Sequence, residues 1–236
     1  MAAAPEITDG RGVIRAMHQR YAGRFFSSLR FAQHTTTISQ NGRETKGIWN
    51  EYIVLPGKLR IDFLPLSSHS GVLYTGGKIY GFSDGKAQPV QNGWNPLLTL
   101  IGDVYAQSPD TTIWQLDSLG FDLSRVRQDT WMGSSVWVVG AAAGDTTVSQ
   151  FWIDRDSLLV RRVIQRAVGG AGQPVVSDIR MLNYQDVGGY PVAFEIQFFR
   201  AGRMYFKEDY FGVQANVPIP AATFDPARWV EAQIKP

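Results

Sequence analysis

The chain contains no cysteine, which excludes disulfides, thiolate nucleophiles and cysteine-ligated zinc. Histidine is scarce. His18, His34 and His69 are the only three, and their spacing suits no metal site. No apolar run approaches the roughly 18 residues that a membrane-spanning helix needs. No block of five like charges occurs, so neither a basic arm nor an acidic tail is expected. Lys and Arg number 23 against 21 Asp and Glu, a formal net charge of +2. That basic lean is too mild to mark a nucleic-acid surface. The opening Met1-Ala2-Ala3-Ala4-Pro5 lacks the charged and apolar regions of a secretory signal, and residues 1–8 read as a loose end.

What the chain has in abundance is sheet-forming residues. It carries 7 Trp, 9 Tyr and 13 Phe in 236 residues, and aromatic and β-branched side chains fit pleated surfaces. The length suits one large β domain or two small ones, and with no composition break and no internal repeat a single domain spanning 1–236 is expected. Its centre of organisation is Val148 to Phe211, which reads as four or five long strands: Val148–Asp154, Leu158–Val168, Pro174–Tyr184, Pro191–Arg200 and Arg203–Phe211. The turns between them are Arg155-Asp156-Ser157, Gly169-Gly170-Ala171-Gly172, Gly188-Gly189 and Ala201-Gly202. Strands joined this tightly are antiparallel neighbours.

Upstream, Thr8 or Asp9 can cap a helix over about 10–22 whose stripe is Val13, Ile14, Met17 and Tyr21. Strands are expected over Phe31–Gln40 and Thr45–Leu55 around the Asn41-Gly42 turn. After Pro56-Gly57, Leu59, Ile61 and Phe63 alternate with Lys58, Arg60 and Asp62. That period of two predicts one buried face and one in water. Ser70–Thr75 and Lys78–Ser83 form a further hairpin through Gly76-Gly77. A helical insertion over about 95–119 follows. Its first helix opens on Asn95-Pro96 and is apolar around most of its girth; its second starts at Ser108-Pro109-Asp110. Sheet resumes at Arg125–Trp131 and Val136–Val139, and Trp229-Val230 reads as a short terminal strand.

Catalytic signals are weak. Gly81-Phe82-Ser83-Asp84-Gly85 matches the spacing of a nucleophile elbow, but Pro89 argues against the helix that must follow, and all three histidines lie upstream. The expected role is a hairpin turn; a serine hydrolase using Ser83 is the least favoured function. Asp154-Arg155-Asp156 begins like a calcium loop, but Leu159 stands where Gly is required. Glu51, Glu195, Glu208 and Asp209 could meet as paired carboxylates, although charged strand residues ordinarily form the solvated face. No catalytic residue, metal ligand or cofactor is expected.

The order of elements and several short motifs resemble the LolA-like superfamily of periplasmic lipoprotein carriers. The motifs are Gly47-Ile48-Trp49, Leu55-Pro56-Gly57-Lys58-Leu59-Arg60, Tyr74-Thr75-Gly76-Gly77-Lys78-Ile79-Tyr80, Asn95-Pro96-Leu97-Leu98, Phe151-Trp152-Ile153-Asp154, Ile219-Pro220 and Phe224-Asp225-Pro226. The resemblance spans about residues 11–230. It implies a mainly β (α+β) fold, a single curved antiparallel sheet forming an incomplete β-barrel of about 11–12 strands, its concave face covered by the N-terminal helix and the helical lid. It further implies a non-catalytic carrier of the bacterial cell envelope that holds the acyl chains of lipids or lipoproteins, with a lipid- or lipoprotein-sensing domain as the alternative. The expected partners are those acyl chains and envelope transport proteins, not nucleic acid, and the expected state is a monomer in the periplasm or envelope. Carriers of this family commonly place an arginine before the proline of the third strand to hold the lid; Leu55 stands there instead.

Strand alternation then selects the apolar cavity. Val192, Phe194, Ile196 and Phe198 should share a face, with Met204 and Phe206 beside them across the Ala201-Gly202 turn. Trp49, Leu59, Ile61, Phe63, Phe151 and Ile153 should line the same cavity. Leu97, Leu98, Ile101 and Trp114 should close it from the lid.

Overall fold

The computed structural model describes residues 7–168 and 172–234. The glycine-rich turn at 169–172 therefore lies, except for Gly172, outside the described residues, as does most of the expected loose end.

The strands are β1 (Ser28–Ile38), β2 (Glu44–Val54), β3 (Lys58–Phe63), β4 (Ser70–Thr75), β5 (Lys78–Ser83), the two-residue β6 (Lys86–Ala87) and β7 (Gln91–Asn92), β8 (Val126–Trp131), β9 (Ser134–Val139), β10 (Gln150–Asp154), β11 (Val160–Val168), β12 (Pro174–Val187), β13 (Tyr190–Arg200) and β14 (Arg203–Ala215). They form one 14-stranded antiparallel sheet in the order β6-β5-β4-β3-β2-β1-β14-β13-β12-β11-β10-β9-β8, with β7 on β5. The sheet is open. Apart from β7 on β5, every neighbour is also a neighbour in sequence except β1 and β14, so two meanders, each built from local hairpins, are joined at that one long-range pairing. The short β6 and β7 account for a strand number above the expected 11–12.

Helix α1 (Gly10–Tyr21) is capped by Asp9, whose carboxylate accepts from the Gly12 amide at 2.8 Å. The insertion consists of α2 (Pro96–Leu98), a π-helical turn (Thr99–Asp103), α3 (Val104–Ala106) and α4 (Pro109–Ser118). The expected continuous first helix is thus widened in its middle. Thr99 and Gly102, both weak helix formers, sit in the widened turn. Asn95 starts it by accepting from the Leu97 and Leu98 amides at 2.9 and 3.2 Å. Among the described residues no helix is long and apolar enough to cross a membrane.

The chain divides into two compact units. One comprises residues up to Phe25, Thr99–Leu182 and Gln197–Met204; the other comprises Phe26–Leu98, Asn183–Ile196 and the chain from Tyr205 onward. In the first, α1 buries Val13, Ile14 and Met17 completely, the stripe its spacing predicts. The helix comes so close to β9 that a Cβ on Gly10 would lie 2.3 Å from a Val139 methyl; glycine is required there by space. Tyr21 donates to the Ser157 carbonyl at 2.7 Å, Tyr105 donates to the Leu158 carbonyl at 3.1 Å, and the two rings meet edge-on at 4.9 Å. His18 Nδ1 lies 3.2 Å from the Val104 carbonyl. The lid helices of this unit are therefore held by polar contacts as well as by buried Leu100, Val104 and Leu116.

In the second unit the expected half-buried β3 is corrected. Arg60 and Asp62, assigned to water by their alternation, are both 0 % exposed. The reason is a cover that arrives from the end of the chain. Residues 219–234 carry the 3-10 turns Ala221–Phe224 and Pro226–Arg228. They lay Phe224 and Trp229 against Tyr52, Leu73 and Phe82, with Trp229 stacked on Phe82 at 4.2 Å. Trp229, expected on a strand, lies instead in this turn-rich segment.

Candidate functional site

Cross-strand partners in an antiparallel sheet share a face, so the register of the second unit fixes which side chains stand together. Trp49 opposes Phe63 on β3 and Gln33 on β1. Glu51 opposes Ile61 and Phe31; Ile53 opposes Leu59. On the other side of β1, Gln33 opposes Tyr210, Thr35 opposes Glu208 and Thr37 opposes Phe206. One face thus carries Trp49, Leu59, Ile61, Phe63 and Phe206, all expected cavity residues. It also carries Gln33, Glu51, Glu208 and Tyr210, which were not.

The aromatics on this face are half-buried and packed against one another. Trp49 lies 4.5 Å from Phe63 and 5.3 Å from Phe206, centroid to centroid, with ring planes 35° and 32° apart. They form a continuous apolar surface across β3, β2 and β14 without being sealed in the core. On β13, Glu195 pairs with Lys207 at 3.3 Å. Lys207 sits between Phe206 and Glu208 on β14 and so points to the opposite face. Alternation then places Phe194 and Ile196 with Phe206. Phe198 and Met204, half-buried on the same two strands, fall in the first unit.

Phe151 and Ile153 belong to the first unit and are fully buried. Phe151 opposes Val139, the residue against which Gly10 packs, and meets Phe121 edge-on at 5.7 Å. Leu98 is buried, while Leu97 and Ile101 are partly so. Trp114 is 58 % exposed. The buried stripe of α4 is Thr112, Gln115 and Leu116, and Trp114 projects about 200° from Thr112 around the helix.

The four carboxylates singled out in the sequence split by strand parity. Glu195 and Asp209 both engage Lys207, at 3.3 and 2.9 Å, on the outer face. Glu51 and Glu208 turn inward and are 5 % and 9 % exposed. Gln33 stands between them on β1, diagonal to both. It is 0 % exposed, and neither side-chain amide atom makes a well-aligned hydrogen bond. Tyr210 donates to Glu208 at 3.2 Å. Burial, and then the charge of Glu208, pushes the Glu51 carboxyl well above its ordinary value. Burial raises Glu208 to about 7, against the opposing pull of Tyr210 and of the nearby Gln33 amide. The Tyr210 phenol is raised by burial and by both carboxylates. Among the described residues no cation contributes to either carboxyl. The reading missed this cluster because it treated the four carboxylates as one solvated class; Glu51 shares parity with Trp49, and Glu208 with Phe206, which is the available signal.

Opposite this face, a groove of about 400 Å³ is lined by Arg30, Ile48, Asn50, Tyr52, Leu64 and Gln214. Beside it, β14 spends four residues where β1 spends three, and Gly212 takes up the turn at φ 61°.

The remaining motifs are structural. Ser83 ends β5 and a turn with Asp84 and Gly85 at φ 50° and 74° leads into β6, so the helix of a nucleophile elbow is absent. The ring of His69 contacts Gln233 at 3.0 Å. Asp154 accepts from the Ser157 amide and hydroxyl at 2.8 Å and from Arg161 at 3.1 Å. Burial works to raise its carboxyl, but these donors outweigh it and hold the group below its ordinary value. Among the described residues no three His, Cys, Asp or Glu side chains gather as metal ligands would.

No family model matches the sequence, and no curated protein does. Solved structures do match the fold. A DUF1329 family protein from Desulfovibrio piger superposes with TM-score 0.61 at 12 % identity, covering 93 % of this chain and 97 % of that one. A LolA superfamily protein from Nitrosomonas europaea gives TM-score 0.57 at 13 % identity, covering 89 % and 96 %. A domain from Vibrio parahaemolyticus, described as an outer membrane lipoprotein-sorting protein, gives 0.61 at 10 % identity, covering 94 % and 98 %. The chain has the LolA-like fold across nearly its whole length.

Proposed function

We propose that this chain is a non-catalytic carrier of the bacterial cell envelope that holds acyl chains of lipids or lipoproteins against the face bearing Trp49, Phe63 and Phe206. The observation that carries the reading is the state of those three rings. They pack against one another at tilted angles yet are only half-buried, whereas a core aromatic such as Phe151 is wholly enclosed. An acyl chain laid over them would remove further apolar area from water, at about 0.8 kcal/mol per buried CH₂. The LolA-like fold supports the same reading, since one of the similar structures is described as a lipoprotein-sorting domain. A periplasmic location fits that fold.

The test is native mass spectrometry of the purified protein before and after delipidation, followed by titration with a short-chain amphiphile. Phe63→Asp places a charge on the apolar surface and should weaken binding at least tenfold while thermal unfolding remains cooperative. A folded Phe63→Asp variant that retains lipid in full would overturn the assignment of this face.

A further inference from the structure

The cluster of Gln33, Glu51 and Glu208 is costly as it stands. A buried polar group without a partner loses hydration that nothing returns, and buried carboxylates are ordinarily paired with a cation. Here both carboxyls are more than nine-tenths buried, and neither amide atom of Gln33 between them makes a well-aligned hydrogen bond, although that amide lies near enough to Glu208 to oppose the rise of its carboxyl. The two glutamates stand on strands either side of β1, with Gln33 diagonal to each. The surrounding side chains are those that receive organic cations. Trp49 and Phe206 are the sequence neighbours two positions from Glu51 and Glu208 on the same strand faces, and Phe63 packs against Trp49. Aromatic faces beside carboxylates bind ammonium groups by cation–π and charge-assisted contacts together.

We propose that Gln33, Glu51 and Glu208 form a recognition site for the ammonium group of an amine-bearing amphiphile whose chain lies on the Trp49–Phe63–Phe206 surface. The proposal rests on the reading of that surface as the acyl-chain site and names its ligand class. An ammonium group brings the positive charge the carboxyls lack and N–H donors for the free Gln33 carbonyl oxygen. An anionic head group is repelled, and a neutral alcohol leaves the charge uncompensated. A metal ion is the weaker fit, since the described residues offer two carboxylates here and no third acid or imidazole beside them.

Calorimetric titration at pH 8 with decylammonium, decanol and decanoate, each below its critical micelle concentration, tests this on the unaltered protein. An alkylamine is protonated there, its pKa being close to that of lysine, about 10.4. Decylammonium is expected to bind at least tenfold more tightly than decanol, with decanoate weakest. In the double variant Glu51→Gln/Glu208→Gln the three should bind within a factor of about three, by loss of the amine's advantage. Gln33→Leu, which leaves both carboxyls in place, should reduce the amine's affinity with little effect on decanol. Equal binding of all three by the unaltered protein overturns the amine site and leaves the acyl-chain reading standing. A preference for the amine that survives in the folded double variant places its determinant elsewhere and also overturns the proposal. Absence of binding by any of the three overturns the acyl-chain reading, and the amine site falls with it.

Discussion

Two buried polar clusters sit on opposite faces of β2 and β3, and they are built on opposite logic. On one face Arg60 is completely satisfied. Its Nε and Nη2 donate to Asp62 at 2.9–3.1 Å, Nη1 donates to the Thr223 carbonyl at 3.2 Å, Nη2 donates to the Trp229 carbonyl at 2.7 Å, and the guanidinium lies 4.0 Å from the Trp229 ring centroid. Each charge has its counter-charge, and the spare donors tie the C-terminal segment to the sheet. On the other face, among the described residues, Glu51 and Glu208 have no counter-charge, and Gln33 between them has no aligned partner. A cluster that is closed with respect to hydrogen bonding holds structure. One that is left open lowers stability, and such strain is retained where a ligand relieves it.

That contrast can be broken at several points. The largest effect is expected from Arg60→Ala, which leaves Asp62 buried without a partner and strips donors from two carbonyls. A loss of about 3–5 kcal/mol is expected by urea denaturation, with amide exchange rising across 219–234. Arg60→Met combined with Asp62→Leu removes both charges and should recover a good part of that loss. A loss below about 1 kcal/mol for Arg60→Ala would mean that Trp229 and Phe224 hold the segment unaided.

The open cluster should behave in the reverse sense. Glu51 and Glu208 are both raised in the folded state, so their ionisation opposes folding. Stability from this source is fully present below the ordinary carboxyl value of 4.5 and is lost as pH rises toward the Glu208 value of about 7. The groups facing them are Tyr74 and Tyr210, raised above the ordinary phenol range and neutral throughout that window, and Tyr184 near Tyr210. Glu51→Gln/Glu208→Gln should therefore stabilise the protein by roughly 1–3 kcal/mol at pH 8 and by almost nothing at pH 4. Calorimetric melting at the two pH values measures the difference; a destabilised double variant at pH 8 would show that the carboxylates are paired after all. The smallest effect is expected outside both clusters. Trp114→Ala, on the exposed side of α4, should shift stability by less than about 0.5 kcal/mol in the same melting experiment.

Much of this architecture was legible because it is local. The hairpin at Ser70–Thr75 and Lys78–Ser83, the turn at Asn41-Gly42 and the stripe Val13, Ile14 and Met17 of α1 follow from turn chemistry and periodicity acting over a few residues. The face shared by Trp49, Leu59, Ile61, Phe63 and Phe206 was readable from alternation, and the same alternation points Glu51 and Glu208 inward. What alternation cannot supply is the identity of the neighbours. Arg60 reads as a solvated strand residue until the Trp229 carbonyl, 169 positions away, reaches it.

The sequence by itself determined the strands, their turns and the face each side chain takes, since these depend on backbone preference and on a period of two. Only the tertiary structure decided which charges are covered and which are answered. The pairing of β1 with β14, close to the two ends of the chain, brings Glu208 to the side of Gln33 opposite Glu51. The returning C-terminal segment closes over Arg60. Both depend on contacts between residues far apart in the chain, and burial without a partner is a property of such contacts alone.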